Sequence, residues 1–377
     1  MAEPFIGRKS AIWLGLETTP GTAVSPIVWI PKTTGVLNPT TEETTDNSGY
    51  GVRDEIYDSF ITKNYSNLPL EGIVRDEFIG YLLYLWLGNY ETLKVFTGTV
   101  TGGTPKKGDS VTGWKLVKVL TIGDTTYYCF NGTVSAGTIT DGTWTLTATA
   151  VSDLYFHYFS VKQSQKLPTA TVYDDDPVSS SKAPYSMINN LELSCEVADY
   201  MRFSAEFQGM QMQSVEAGTL NPAYSDEKPF TSSMAGVRFA NSEEGLNSAE
   251  EICIQNFRVA INNNLTDVQC FGDTDISAMY ATTFGVEGDF ETLYGSTTLR
   301  DIALASTKQA IRFYAKNGTG ENLSWIYVDI MKAGLNSWTK TDNNDELVSQ
   351  TMGFTGQYDT DNGTAIEVIL INDKSSY

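Results

Sequence analysis

The sequence predicts a mainly β protein: two tandem β-sandwich or barrel modules, each with a short flanking α-helix, plus a small all-β insertion. Three observations carry this expectation. Alternating apolar and polar residues recur in strand-length stretches along most of the chain. One stretch, residues 68–88, passes from an alternating strand into an apolar helix, and the same order returns at 284–305. A Gly- and Thr-rich stretch, 97–151, interrupts the pattern once. The implied division is 1–96 with 152–230 as the first module, 97–151 as the insertion and 231–377 as the second module.

The elements follow in order. Residues 11–16 and 27–30 are short apolar runs around a Pro20-Gly21 turn, the second bracketed by Pro26 and Pro31 as an edge strand would be. Residues 40–46 and 56–63 form the arms of a long polar hairpin turning at Asp46-Asn47-Ser48-Gly49. Leu68, Leu70 and Val74 then alternate with Glu71 and Arg75. Asp76 is the expected N-cap of the helix carrying Phe78, Ile79, Leu82, Leu83, Leu85 and Trp86, and Gly88 its stop. A helix this apolar must lie on a sheet. The insertion contains strands at 114–122, 125–130 and 143–151, with turns at Gly123-Asp124 and Asp141-Gly142.

After it come the 155–159 strand, the 169–173 strand and a clear hairpin, 191–197 with 201–207, turning at Ala198-Asp199. Residues 211–230 read as a linker. Beyond the linker, a 252–261 strand and a loop at 265–275 lead to the second strand–helix unit. There Val286-Glu287-Gly288 matches Leu70-Glu71-Gly72, and Ser296 or Thr297 caps the helix with Leu299, Ile302 and Ala303 on its apolar stripe. This places Glu71 on Glu287, an offset of about 216. Residues 325–330 are matched to 169–174. The final strand, 364–371, follows an Asn362-Gly363 hairpin turn and is matched to 201–208, an offset of about 160. The difference, about 56, is close to the length of the insertion, as a single insertion into one of two copies would give.

Composition narrows the function. The chain has 377 residues, 12% of them aromatic, and a formal charge of −21 with no basic patch, which argues against binding nucleic acid or an acidic membrane. Lys106-Lys107 and Arg8-Lys9 read as solvated turn pairs. Cys129, Cys195, Cys253 and Cys270 form no CxxC pair and read as free buried thiols of a reducing compartment. No stretch has the length of a membrane span or a signal peptide, so folding in the cytosol is expected. The one histidine, His157, lies in a strand and reads as a packed residue. The acidic runs 174–176 and 342–346 lack EF-hand spacing, and no nucleotide-loop or nucleophile-elbow motif is present, so no enzyme, cofactor or metal is expected.

The chain opens with Gly7-Arg8-Lys9, Trp13-Leu14-Gly15-Leu16-Glu17-Thr18-Thr19-Pro20-Gly21-Thr22-Ala23 and Trp29-Ile30-Pro31, continues with Leu70-Glu71-Gly72 leading into one helix, and then has the 157–161 strand with Leu167-Pro168-Thr169 and its acidic turn. In this order the motifs resemble the tail tube, or major tail, proteins of long-tailed (siphovirus-type) bacteriophages, in a duplicated-module variant. The resemblance covers most of the chain apart from 97–150.

It implies β-sandwich subunits that form rings, here three chains of two fused modules each with pseudo-sixfold symmetry, stacked into a hollow tail tube through which DNA leaves the virion. The partners expected are further copies of the chain, the tail terminator and distal tail proteins, the tape measure protein during assembly, and double-stranded DNA passing without specific binding; no membrane is involved. The location implied is the virion tail, assembled in the host bacterial cytoplasm. Glu71, Glu192, Glu196, Glu206, Glu287 and Asp289 lie on polar strand faces and are the expected lumen residues. Asp46, Tyr50, Arg53, Asp54, Tyr57, Asp273 and Asp275 lie on the long loops expected between rings. The insertion is expected to project outward. Competing readings are a two-domain adhesion or receptor-binding protein with a carbohydrate-binding-like insert, and a hydrolase using paired carboxylates.

Overall fold

Alternation along the chain becomes antiparallel strands. The structure, a computed structural model, describes residues 5–377 apart from 112, 133, 153, 217–219, 221–225, 318–323 and 346. Gly218 and Pro222 of the expected linker and Glu346 of the 342–346 acidic run therefore lie outside the described residues. In chain order the elements are β1 (Ala11–Leu16), β2 (Val28–Ile30), β3 (Thr34–Gly35), β4 (Asn38–Asp46), β5 (Asp58–Ile73), α1 (Ile79–Leu87), β6 (Gly88–Gly102), β7 (Ser110–Val111), β8 (Trp114–Ile122) and β9 (Thr125–Phe130). There follow β10 (Gly137–Thr140), β11 (Trp144–Ala150), β12 (Tyr155–Val161), β13 (Ala170–Asp175), β14 (Ser180–Glu196), β15 (Arg202–Gly209) and β16 (Gln213–Val215). The second half has β17 (Ala235–Ala240), β18 (Glu251–Ile252), β19 (Ile254–Asn262), β20 (Leu265–Val268), β21 (Ala278–Ala281), β22 (Gly285–Leu293), α2 (Thr298–Leu304), β23 (Lys308–Asn317), β24 (Ser324–Thr341), β25 (Ser349–Gly356) and β26 (Ile366–Asn372). The protein is mainly β, with two short helices, as the sequence predicts.

One antiparallel sheet crosses both halves. Its order is β4–β5–β15–β14–β19–β22–β25–β24, and β14 against β19 is the seam, in register from Asn190 opposite Asn262 to Glu196 opposite Asn256. β14 and β24 are long because each serves two sheets. The start of β14 pairs with β13, which pairs with β1, while the start of β24 pairs with β23, which pairs with β17. The pairing order β5–β15–β14–β13–β1 thus recurs as β22–β25–β24–β23–β17. Alternate residues of the shared sheet, among them Leu70, Phe203, Leu193, Val259, Phe290 and Phe354, point into one core together with α1. The Leu-Glu-Gly and Val-Glu-Gly repeats have a packing reason. Gly72 is directly opposite Phe203, and a Cβ on it would come 2.7 Å from that ring; Gly288 is opposite Phe354 in the same way.

α1 ends where expected, at Gly88 with φ +87, but Asp76 does not cap it. Its carboxylate is buried and accepts hydrogen bonds from the Lys228 backbone N–H (2.8 Å), the Ser324 hydroxyl (2.8 Å) and the Asn317 amide (3.4 Å). An N-cap assignment reads only local sequence, and three distant donors outbid it. The end of the expected linker is likewise pinned: Phe230 is fully buried and exchanges backbone hydrogen bonds with Val74 and Met201.

Two strand matches are corrected by the pairing. β25, not the last strand, sits beside β22 as β15 sits beside β5, and β26 lies between β24 and β12. Residues 325–330 belong to β24, in the place of the start of β14; the place of 169–174 is held by β23. The offset of about 160 therefore has no structural basis. Asn362-Gly363 does make a turn, with Gly363 at φ +70, closed by the Asp359–Thr364 bridge, yet β25 and β26 do not pair with each other. The turn is a corner between sheets, because β24 offers β26 a long unpaired flank.

Candidate functional site

The shared sheet has two faces, and residues directly opposite each other across antiparallel strands lie on the same face. One row reads Glu71, Ser204, Glu192, Ala260, Glu287, Thr355 across six strands. The next reads Arg202, Ser194, Arg258, Asp289. Glu206 is opposite Asn190, and Glu196 is opposite Asn256, which is opposite Glu291. All six expected lumen residues thus share one polar face that runs through both halves; Glu192 and Asp289 are half-buried and the other four are exposed. Carboxylates dominate the face, and Arg258 at the seam is the cation that joins its two halves. Its Nε lies 2.7 Å from Glu192 and its Nη1 3.0 Å from Asp289.

The two borders of this sheet are open. Among the described residues, β4 and the short β3 pair only with β5, and β24 beyond Gly334 pairs only with β25. β4 is exposed along nearly its whole length, and Thr40, Thr41, Glu42, Glu43, Thr44 and Thr45 make it polar. A bare edge of this kind is an invitation to another strand.

The expected inter-ring residues lie at one end of the sheet. Tyr50 stacks on Tyr57 with ring centroids 3.9 Å apart, Asp46 accepts the Ser48 backbone N–H at 2.9 Å, and Arg53 and Asp54 are exposed on the same tip. The two long loops touch each other through Gln269 on the Thr62 carbonyl (2.5 Å), Asn64 on the Thr274 carbonyl (2.7 Å) and Lys63 on Asp267 (2.8 Å). Asp273 and Asp275 therefore sit beside the first hairpin, and Asp275 bridges to Asn64. The loop tips expose Val52, Ile56, Tyr57, Phe60 and Phe271, and the turns at the opposite end expose Val197, Tyr200, Leu293 and Leu347.

His157 is fully buried. Its Nε2 lies 3.0 Å from Asn372 Oδ1 and 2.8 Å from the Lys374 carbonyl oxygen; its Nδ1 faces the Tyr90 and Thr92 hydroxyls at 3.2 and 3.4 Å. Two acceptors at Nε2 make that nitrogen the donor of a neutral ring, and burial pushes the pKa down to about 4. It is a packed residue, as expected. The cysteines are all free, but Cys253 and Cys270 are exposed, since they lie at a strand break and a loop tip. Among the described residues, no group of three or more His, Cys, Asp and Glu is arranged to hold a metal ion. Among the described residues, no helix is long and apolar enough to cross a membrane.

Sequence reasoning missed the largest buried charge cluster. Lys107, read as a solvated turn residue, is mostly buried against Glu367, and Lys118 is fully buried with its Nζ 2.7 Å from Asp329, 3.2 Å from Glu367 and beside Glu243. Arg312 binds Asp329 through Nε and Nη2 at 2.7 and 2.8 Å. The guanidinium and the lysine hold the Asp329 carboxyl far below its usual range, and the three carboxylates hold Lys118 charged despite its burial. The only sequence signal was a lysine at an inward position of the alternating 114–122 strand. Trp144 is also buried, and Trp114 lies over Gly132.

Comparison of the chain with curated proteins finds no match. Residues 7–356, nearly the whole chain, match the family described as phage tail tube protein. A structural subunit of the virion tail, self-assembling with other tail proteins, accounts for an acidic sheet face with bare borders, and the chain belongs to the phage tail tube protein family.

Proposed function

We propose that the chain is a fused double module of a siphovirus-type tail tube, three copies of which close into a ring with pseudo-sixfold symmetry. The observation that carries this is the seam. Within one chain, β14 of the first half already pairs with β19 of the second. β24 is the counterpart of β14, and the β3–β4 edge, which borders β5 as β19 borders β22, is the counterpart of β19. Among the described residues, β3–β4 has no strand on the side away from β5, and β24 beyond Gly334 has none on the side away from β25. Setting β24 of one copy against β3–β4 of the next repeats the internal seam between chains, and a repeated head-to-tail contact with one rotation closes a ring.

The polar face with Glu71, Glu192, Glu196, Glu206, Glu287 and Asp289 then lines the bore. Like charge there denies DNA the counterion-release gain that basic residues would give it, so the polymer slides through. Apolar residues exposed at both ends of the sheet, Phe271 and Tyr57 at one and Leu293 and Leu347 at the other, support ring-on-ring stacking. Assembly takes place in the host cytoplasm around the tape measure protein, between the distal tail and terminator proteins.

The test is the mass of a single ring with electron microscopy of the purified protein. Three chains around a continuous bore are expected. Rings of six chains would refute the fused-module reading, and monomers at every concentration would refute tube formation.

A further inference from the structure

Residues 88–161 leave the first half of the chain and return to it, yet what they touch belongs largely to the second half. Their stem is β6 and β12, paired from Gly88 opposite Val161 to Leu93 opposite Phe156. β12 is in turn paired with β26, from Tyr155 opposite Asn372 to Ser160 opposite Glu367, so the stem extends the outer sheet of the second half. Their tip is the small sheet β8–β9–β6–β11–β10, to which the second part of β6 contributes, with its own core of Phe96, Leu116, Phe130, Trp144 and Leu146. Leu93, Leu120 and Phe156 also pack with Tyr327, Ile369 and Ile371 of the second half.

The charges are more telling. The outer face of the second half carries three carboxylates that are buried in the folded chain, Glu243, Asp329 and Glu367, and one guanidinium, Arg312, which contacts the first two. The missing positive charge comes from the tip: Lys118 reaches all three carboxylates and Lys107 reaches Glu367. Tyr158 of the stem adds a hydrogen bond to Glu367 at 2.7 Å, and Asn247 links Arg312 (2.8 Å) to the Val119 carbonyl of the tip (2.9 Å). Buried like charges without a counter-charge are strongly destabilising.

We propose that the 88–161 arm is a clamp on which the second half depends, with Lys107 and Lys118 supplying the counter-charge that keeps its outer sheet packed. The insertion is then an integral part of the subunit and not a decoration of its surface. This holds whether or not rings form.

The test is amide hydrogen exchange of the full chain, read by mass spectrometry. Lys118→Met should speed exchange in β23, the first half of β24 and β26 by roughly tenfold or more, beyond any change in β8, β9 and β11. Adding Glu243→Gln and Glu367→Gln to Lys118→Met should recover most of the protection, because the unpaired charges are then gone. Should Lys118→Met not fold, Lys107→Ala at the rim is expected to give the same pattern more weakly, and Lys106→Ala, an exposed neighbour, no change. A change confined to the tip strands, or no recovery in the triple variant, would overturn the proposal.

Discussion

Trp86 is the side chain through which α1 holds the two halves together, and its removal is worth working through. It is fully buried, its indole N–H points at the Ile261 carbonyl of β19 (3.4 Å), and its own carbonyl accepts the Asn263 amide (3.1 Å), which also reaches Ile188 of β14 (3.0 Å). The residue therefore packs directly beneath the β14–β19 seam. An indole of this kind hides on the order of 200 Å², which at about 25 cal/mol per Å² corresponds to roughly 5 kcal/mol. Truncation to alanine in a core that relaxes only partly costs about 3–5 kcal/mol. Trp86→Phe keeps most of the volume and gives up one long hydrogen bond, so about 1–2 kcal/mol is expected. Urea unfolding followed by far-ultraviolet circular dichroism measures both. A Trp86→Ala loss below about 1 kcal/mol, or equal losses for the two variants, would show that α1 does not buttress the seam.

Two further outcomes follow from the same packing and burial. Gly72→Ala and Gly288→Ala each push a methyl into a phenylalanine ring directly opposite, so both should destabilise by about 1–3 kcal/mol in urea titrations. A neutral effect at either position would break the parallel between the halves. His157 has its pKa depressed from 6.5 to about 4 by burial. The unfolded chain takes up the proton first, so the stability this residue contributes is complete above about pH 6.5 and falls as pH drops toward 4, by roughly 3 kcal/mol at most. The drop between pH 7 and 4.5 should be smaller in His157→Gln than in the parent chain, and equal drops would contradict it.

What could be read along the chain was what depends on near neighbours. The period-two alternation of Leu191–Glu196 and Met201–Gln208 encodes a strand with one buried face whatever its partners are. The apolar run from Ile79 to Leu87 and the left-handed Gly88 fix α1 in the same local way. The carboxylates of the polar face were legible for this reason: alternation alone states which residues share a side.

Partner choice was not legible, because it is settled by complementarity between segments hundreds of residues apart. β26 carries a strand pattern as good as that of β25, and only the free flank of β24 beside β12 sends it to the outer sheet. Asp76 looked like a helix cap until Lys228, Ser324 and Asn317 converged on it. Lys107 looked like a solvated turn residue until the fold laid it, with Lys118, against buried carboxylates. The sequence by itself determined a mainly β chain with two strand–helix units and an acidic strand face. Tertiary structure decided which edges are spent inside the molecule and which remain open, since a hydrogen-bonding edge has no identity until its neighbours are in place.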